Sequence, residues 1–396
     1  MKLYLRTFGC RANQYDSEAV RAMALANGAS LVDSPEQADV AVFNSCAVTA
    51  DAVADLRQQV RRSARRNPSL RSVVMGCASA LPSESRELRE LPSVAGVVAG
   101  ADVEAVAEAL GIDAAASVNV ARQSGARGLL RIQDGCDEHC TFCVTTLARG
   151  AHRSRPVNAL VTEARALAEH HGEIVLTGVH IGSWGREIGS TLGALVEELV
   201  LEVPTVRFRL TSIEATEVDA RLAELLTGAP GRVAPHLHAP LQSGSDRLLR
   251  RMGRHWYSAS RYVAAVERIA SRVAPFALSA DVICGFPGER SEDHDATRTL
   301  VESLPFTDLH VFPYSDRPGT DASALADKVG GVAIRERGRR IRAIGEELSR
   351  RFRDAQVGTS RRALTVDDGW SAVTDNYVKV RLNQQHVRNE WTVVDL

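Results

Sequence analysis

Over the first hundred residues, short apolar runs alternate with longer stretches of helical spacing. Lys2–Thr7, Asp39–Asn44, Ser72–Gly76 and Ala95–Ala99 read as strands, and Ser17–Ala26 and Asp51–Arg66 as amphipathic helices. Strand and helix in turn predict a parallel sheet with covering helices. The alternation resumes in the middle of the chain. The strand-like runs there are Leu129–Gln133, Glu173–Thr177, Val206–Thr211, Pro235–Ala239, Phe276–Ile283 and Leu309–Tyr314. Between them, Val157–His170, Leu192–Leu201, Ala220–Leu226, Ala259–Ser271 and Glu292–Ser303 carry helical spacing. Six such repeats predict an open (β/α)6 barrel with its site at the carboxyl ends of the strands. Beyond Val357 the pattern breaks into short β pieces: Ala363–Val366, Tyr377–Arg381 and Trp391–Val394. The expected fold is therefore α/β with three parts. Residues 1–115 form a Rossmann-like parallel-sheet domain, 116–126 a linker, 127–355 the partial TIM barrel and 356–396 a small β domain.

Composition narrows the compartment more than the partner. The 396 residues carry a net charge of −1, so the whole-chain balance favours no particular partner. Seven cysteines are an odd count in a long chain, which argues against a disulfide scaffold. They point to a reducing, cytoplasmic setting and to metal or catalytic use. The opening Met1–Phe8 has no long apolar run, so no signal peptide is expected. No stretch of about 18 apolar residues occurs, so no membrane span is expected either.

Three of the cysteines stand at Cys136, Cys140 and Cys143, just after the first barrel strand. Three thiolates hold three corners of a 4Fe-4S cube and leave one iron open to a substrate. The other reading is a zinc knuckle closed by His139, but no second cysteine pair with zinc-finger spacing follows. Three more cysteines end the strands of the first domain: Phe8-Gly9-Cys10, Asn44-Ser45-Cys46 and Met75-Gly76-Cys77. Groups at the carboxyl ends of parallel strands converge on one crevice, so these thiols could form a second three-thiolate site. Taken singly, each would more often be a buried core cysteine, and their shared position at strand ends reverses that. Cys284 lies in a strand pattern without partners and reads as core.

The other barrel strand ends carry Gly178-Val179-His180, Ser212-Ile213-Glu214, Leu241-Gln242-Ser243-Gly244-Ser245 and Gly285-Phe286-Pro287-Gly288-Glu289. Their glycines let backbone approach a ligand, and their polar groups suit an amino acid or a ribose. The run Cys136–Cys143 resembles the signature of the radical SAM superfamily. Thr7–Cys10, Asn44–Thr49, Met75–Cys77, Ile174–His180, His236–Ser245, Gly285–Glu289 and His310–Ser315 together resemble the radical SAM methylthiotransferases. Within that family, Gly9–Asp16 and Asp375–Val380 resemble the branch acting on threonylcarbamoyl-adenosine in tRNA. The isopentenyl-adenosine branch is the second choice, and a branch acting on a ribosomal-protein aspartate the third.

The resemblance implies that Cys136, Cys140 and Cys143 hold a 4Fe-4S cluster that cleaves S-adenosylmethionine. It implies that Cys10, Cys46 and Cys77 hold an auxiliary 4Fe-4S cluster carrying the sulfur to be transferred. One S-adenosylmethionine would methylate that sulfur and a second would yield the 5′-deoxyadenosyl radical. By motif position, Gly178, Ser212, Glu214 and Gln242 would contact S-adenosylmethionine. An electron donor such as flavodoxin or ferredoxin is implied; the sulfur donor is left open. The tail resembles a short TRAM domain, a small RNA-binding β-barrel. One departure follows the cysteine motif, where Val144-Thr145-Thr146-Leu147 stands in place of the usual Ile-Ile-Pro-Tyr.

Local charge fits an RNA partner such as a tRNA anticodon loop. Arg57, Arg61, Arg62, Arg65 and Arg66 share one predicted helix, and Arg149, His152, Arg153 and Arg155 follow the cysteine loop. Residues 335–362 are rich in arginine. Arg61, Arg65, Arg153, Arg155 and Lys379 are the expected RNA contacts. A solvated helix face accounts equally well for the last arginine-rich segment.

Overall fold

The computed structural model describes residues 1–114 and 120–396. Part of the expected linker, 116–119, thus lies outside the described residues. The first domain is a five-stranded parallel sheet built from β1 (Lys2–Thr7), β2 (Ser30–Leu31), β3 (Val40–Ser45), β4 (Arg71–Gly76) and β5 (Val94–Val97), in the order β2-β1-β3-β4-β5. β3 is central and buried at every position. Its alternate residues feed two cores, as a sheet covered on both faces requires. Ala41 and Phe43 pack with Val53, Leu56 and Val60 of helix Ala50–Arg66. Val40 and Val42 pack with Val20 and Met23 of helix Arg11–Ala26 and with Val106 and Leu110. That first helix starts six residues before the expected Ser17. Buried Asn13 and Asp16 interrupt its apolar spacing and hide the first turn and a half from a periodicity argument.

The barrel strands are β6 (Gly128–Arg131), β9 (Glu173–Thr177), β10 (Arg207–Leu210), β11 (His236–His238), β12 (Ala277–Cys284) and β13 (Asp308–Pro313); β7 (Gln133–Asp134) and β8 (Arg153–Ser154) pair as a ribbon beside them. They form two parallel three-stranded sheets, β10-β9-β6 and β11-β12-β13. Isolated bridges at Phe208–Val233 and Ser212–His238 join the two. Six strands therefore curve into a half-barrel. Alternation again separates the faces. Ile174, Phe208, Leu237, Ala280, Val282 and Leu309 enter the core beneath the helices, and Cys284 joins them at 1% exposure. Glu173, Arg207, Arg209, His236, His238, Asp281 and His310 take the opposite parity and face the lumen.

The last part follows the long helix Gly331–Asp354. It is an antiparallel sheet of β14 (Ser360–Val366), β15 (Ser371–Thr374), β16 (Lys379–Arg381) and β17 (Trp391–Asp395), in the order β16-β15-β14-β17. Four strands make an open sheet. The sequence suggested a strand beginning at Tyr377, but the strand starts at Lys379 and Tyr377 precedes it. It sits in a turn at φ +70° and sends its ring into the barrel. There it stacks on His236 at 4.6 Å, lies 4.8 Å from the Arg209 guanidinium and accepts a hydrogen bond from Arg11. Beneath it the Glu173 carboxylate, fully buried, accepts from Arg207 Nε at 2.7 Å and Arg209 Nε at 2.8 Å, with Arg127 at 3.6 Å. Burial opposes that charge, but the guanidiniums outweigh it and hold the carboxyl far below its ordinary value. Among the described residues, no helix is long and apolar enough to cross a membrane.

Candidate active site

The loop carrying Cys136, Cys140 and Cys143 leaves β7 through Gly135. At φ +71°, a Cβ there would sit 1.9 Å from the Ala151 carbonyl oxygen, so only glycine fits. Gln133, wholly buried, fastens the loop to the end of β9. Its Nε2 donates to Gly135 O at 2.6 Å, and its Oε1 accepts from Val179 N at 3.0 Å and His180 N at 2.8 Å. Gly178 is needed for the same junction, because a Cβ would meet Gln133 O at 2.7 Å. Each thiol then has a polar neighbour. Cys136 Sγ lies 3.8 Å from His180 Nδ1, Cys140 Sγ 3.4 Å from Arg254 Nη1 and Cys143 Sγ 3.1 Å from Thr145 Oγ1. Burial pushes the Cys140 thiol up to about 12 despite the nearby Arg254. Burial also opposes charge on His180, but its bonds to Cys136 and Glu217 prevail and raise it to about 10.

The strand-end cysteines also meet. Cys10 Sγ and Cys77 Sγ share one acceptor, Asn13 Oδ1, at 3.6 and 3.7 Å. A Cβ on Gly9, at φ +99°, would fall 2.9 Å from Cys46 Sγ, so glycine lets the turns bearing Cys10 and Cys46 touch. Asn13 is held by Ser45 O at 2.6 Å and Asn44 Oδ1 at 3.1 Å. Burial pushes Cys77 up to about 11, against the pull of Arg149.

Arg149 links the two trios. Its Nη2 donates to Asn13 Oδ1 at 2.9 Å and Asp16 Oδ2 at 2.7 Å, and its Nη1 to Asp134 Oδ1 at 3.2 Å. Asn13 touches two thiols of the first trio, while Asp134 and Arg149 flank the loop of the second. Val144 and Ala148, just beyond Cys143, pack in the same apolar cluster as Cys77 and Ala78. The departure Val144–Leu147 therefore abuts the first domain. One polar bridge and one apolar seam bring the six thiols to a common region.

The donor geometry bears on which group would sit there. A tetrahedral zinc at about 2.3 Å from each sulfur needs thiolates about 3.8 Å apart. Among the described residues, no cysteine trio has its three sulfurs within 4.8 Å of one another, and His139 is exposed. Three cysteine thiols are the donor set of a 4Fe-4S cube with one iron left open. Beside the second trio, Glu214 is buried, with Oε1 bonded to Arg254 and Oε2 unpartnered. An orphaned carboxylate oxygen next to a thiolate trio fits a cationic ligand such as the ammonium of S-adenosylmethionine. Gln242, at φ +62°, is held by backbone bonds to Asp281 and Ile283. Ser212 is exposed, and its backbone bridges to His238.

Arg254 had no signal in the sequence reading, because it follows a helix instead of a strand end. It joins Cys140, Glu214 and Tyr257, whose hydroxyl lies 2.9 Å from Arg254 Nε. Arg254→Met leaves the carboxylate of Glu214 buried without its partner, a change that costs about 3–5 kcal/mol at a buried pair. The expected outcome is loss of S-adenosylmethionine binding with the iron of the strand-end trio retained. Isothermal titration and iron analysis check it; unaltered binding would refute the role given to Arg254.

The basic residues divide into two sets. Arg61 and Arg65 are exposed on helix Ala50–Arg66 and form no salt bridge with the described residues; Arg153 is exposed as well. Arg155 is engaged inside the protein, by Glu163 Oε2 at 2.7 Å and the Arg131 carbonyl at 2.8 Å. Lys379 is exposed and 2.6 Å from Asp367. On helix Gly331–Asp354, Arg339, Arg340, Arg350 and Arg351 pair with Glu336 and Glu347 one turn away. That is the pattern of a solvated helix face.

Residues 2–100 match the model of the uncharacterized protein family UPF0004, and residues 130–301 that of the Radical SAM superfamily. The chain is 32% identical over 404 residues to the threonylcarbamoyladenosine tRNA methylthiotransferase MtaB of Aquifex aeolicus, covering 96% of each chain. It is 32% identical to MtaB of Bacillus subtilis, over 94% of this chain and 88% of that one. It is also 32% identical to tRNA-2-methylthio-N(6)-dimethylallyladenosine synthase of Chlorobium luteolum, over 92% and 85%. The fold is shared with the radical S-adenosylmethionine methyltransferase TsrM from Kitasatospora setae, solved with cobalamin and a 4Fe-4S cluster, at TM-score 0.59 and 15% identity over 81% of this chain and 77% of that one. The cofactors of the family, two 4Fe-4S clusters and S-adenosylmethionine, fit the two trios and the unpartnered Glu214 oxygen, and the chain belongs to the radical SAM methylthiotransferases, in their MtaB branch.

Proposed function

We propose that this enzyme converts N6-threonylcarbamoyladenosine at position 37 of tRNA, in the anticodon loop, to its 2-methylthio derivative. One observation carries the reading: two three-cysteine groups meet across Arg149, in a chain alike over nearly its whole length to enzymes named for that nucleoside. Bound at Cys136, Cys140 and Cys143, a 4Fe-4S cluster would supply the electron that splits S-adenosylmethionine, while a second at Cys10, Cys46 and Cys77 would present the sulfur.

The chain's own residues position and shield. Gln133 and Gly178 set the loop, and Glu214 and Arg254 receive S-adenosylmethionine, with Gly178, Ser212 and Gln242 around it. Asn13 and Arg149 hold the two trios in one register. Val144 and Ala148 seal the seam between them against water. Residues 1–115 act as the sulfur-bearing domain, 127–355 as the radical domain and 356–396 as a short RNA-binding domain. The setting is the cytoplasm, with flavodoxin or ferredoxin as reductant. The likeness to the dimethylallyladenosine synthases keeps N6-isopentenyladenosine as the second substrate reading.

Nucleoside analysis of tRNA from a deletion strain tests the substrate. Loss of 2-methylthio-threonylcarbamoyladenosine is expected; its persistence would overturn the choice. RNA grip is tested separately. Arg61→Glu with Arg65→Glu should weaken tRNA binding and lower the slope of log affinity against log salt by about one for each residue. An unchanged slope would remove that helix from the interface.

A further inference from the structure

The lumen holds a cluster that the transfer chemistry leaves unused. His238, Asp281 and His310 each offer a donor atom, and these three atoms lie within 4.8 Å of one another. Both imidazoles aim at one oxygen. His238 Nε2 is 3.2 Å from Asp281 Oδ1, and His310 Nδ1 is 3.3 Å from that same Oδ1. Charge-assisted N–H···O bonds close to about 2.7–2.9 Å. The edge of a tetrahedron around a zinc with ligands at 2.0–2.1 Å is about 3.4 Å. The observed separations sit nearer the second figure.

We propose that His238, Asp281 and His310 form a binding site for one divalent first-row transition-metal ion, with zinc as its simplest occupant. The outer nitrogens support this. A ligating histidine usually has its other ring nitrogen fixed by an oxygen. His238 Nδ1 lies 2.8 Å from Ser279 Oγ, and His310 Nε2 lies 3.5 Å from Asp308 Oδ2. Backbone pairing sets the arrangement, since His238 lies opposite Ser279 and Asp281 opposite His310. Two imidazoles and one carboxylate suit zinc or ferrous iron and leave coordination positions open. Those positions face the lumen, where His310 is half exposed and Asp281 about a quarter. They would take water or an oxygen donor of a lumen ligand. This cluster is separate from the six thiols of the cysteine trios.

The test uses the full chain with its iron clusters reconstituted anaerobically, equilibrated with zinc and dialysed free of excess. Wild type should retain one zinc per chain beyond any held by a His238→Ala variant, which lacks a ligand of the site. His310→Ala and Asp281→Asn should retain at least tenfold less, with iron content unchanged. X-ray absorption at the zinc edge should show nitrogen and oxygen neighbours only. Sulfur neighbours, equal zinc in wild type and variants, or no stoichiometric zinc would each overturn the site. Should Asp281→Asn fail to fold, His310→Ala still decides, because His310 lies half exposed on the edge strand β13. Zinc retention is read without RNA, so it stands or falls apart from the substrate assignment.

Discussion

Cys136→Ala protein is expected to release no 5′-deoxyadenosine from S-adenosylmethionine, while Cys10→Ala protein goes on releasing it and makes no methylthio product. The two cysteines lie in different domains and touch different partners. Cys136 sits against His180 on the barrel rim, near the Arg254–Glu214 pair. Cys10 sits against Asn13 at the end of β1. Losing one thiolate of three strips the cube of its anchorage at that site alone, so iron should fall by about half, from eight to four per chain. Cys284→Ala is the control. It is buried among barrel apolars, and its removal should cost about 1 kcal/mol with both activities kept. Equal losses of cleavage in Cys136→Ala and Cys10→Ala would end the proposed division of labour.

Glu173→Gln should be the most destabilising single change outside the cysteines. Removing the charge leaves Arg127, Arg207 and Arg209 packed together without their buried counter-charge, worth about 3–5 kcal/mol for a buried pair broken on one side. In a unit of this size that is roughly a 10 °C fall in melting temperature. The pH dependence has a definite sign. The folded carboxyl is held well below its unfolded value of about 4.3. Its stabilisation is therefore complete above that value and is lost as pH falls below it. Wild type should lose stability on acidification that the variant no longer has to lose, so the gap between them narrows from pH 7 toward pH 3. Thermal melts across that range read it; a constant gap, or one under 1 kcal/mol at pH 7, would contradict this account of the lumen.

The strands and both cysteine trios were legible because each rests on a local signal. Apolar runs of the right length mark β3 and β12, and thiols after small residues mark the strand ends. What escaped detection depends on distant partners. The start of the first helix was hidden because Asn13 and Asp16 are polar yet buried, held by Ser45 and Arg149. Arg254 and Gln133 carry no local pattern; only the fold brings them to Cys140 and the Cys136 loop. Arg155 looked like a phosphate contact and is occupied by Glu163, a partner on the adjoining helix. Of the arginines from 335 to 362, Arg339, Arg340, Arg350 and Arg351 pair with carboxylates of their own helix, which charge counting alone could not separate from a binding face.

Tyr377 reaches Arg11, the residue directly after Cys10, from 366 positions further along. The ring that grips the neighbour of Cys10 is carried by the small β sheet, between β15 and β16. The surroundings of the first thiol are therefore complete only when that sheet is folded against the barrel. A chain truncated ahead of Tyr377 would carry the thiols without the clamp that completes their surroundings.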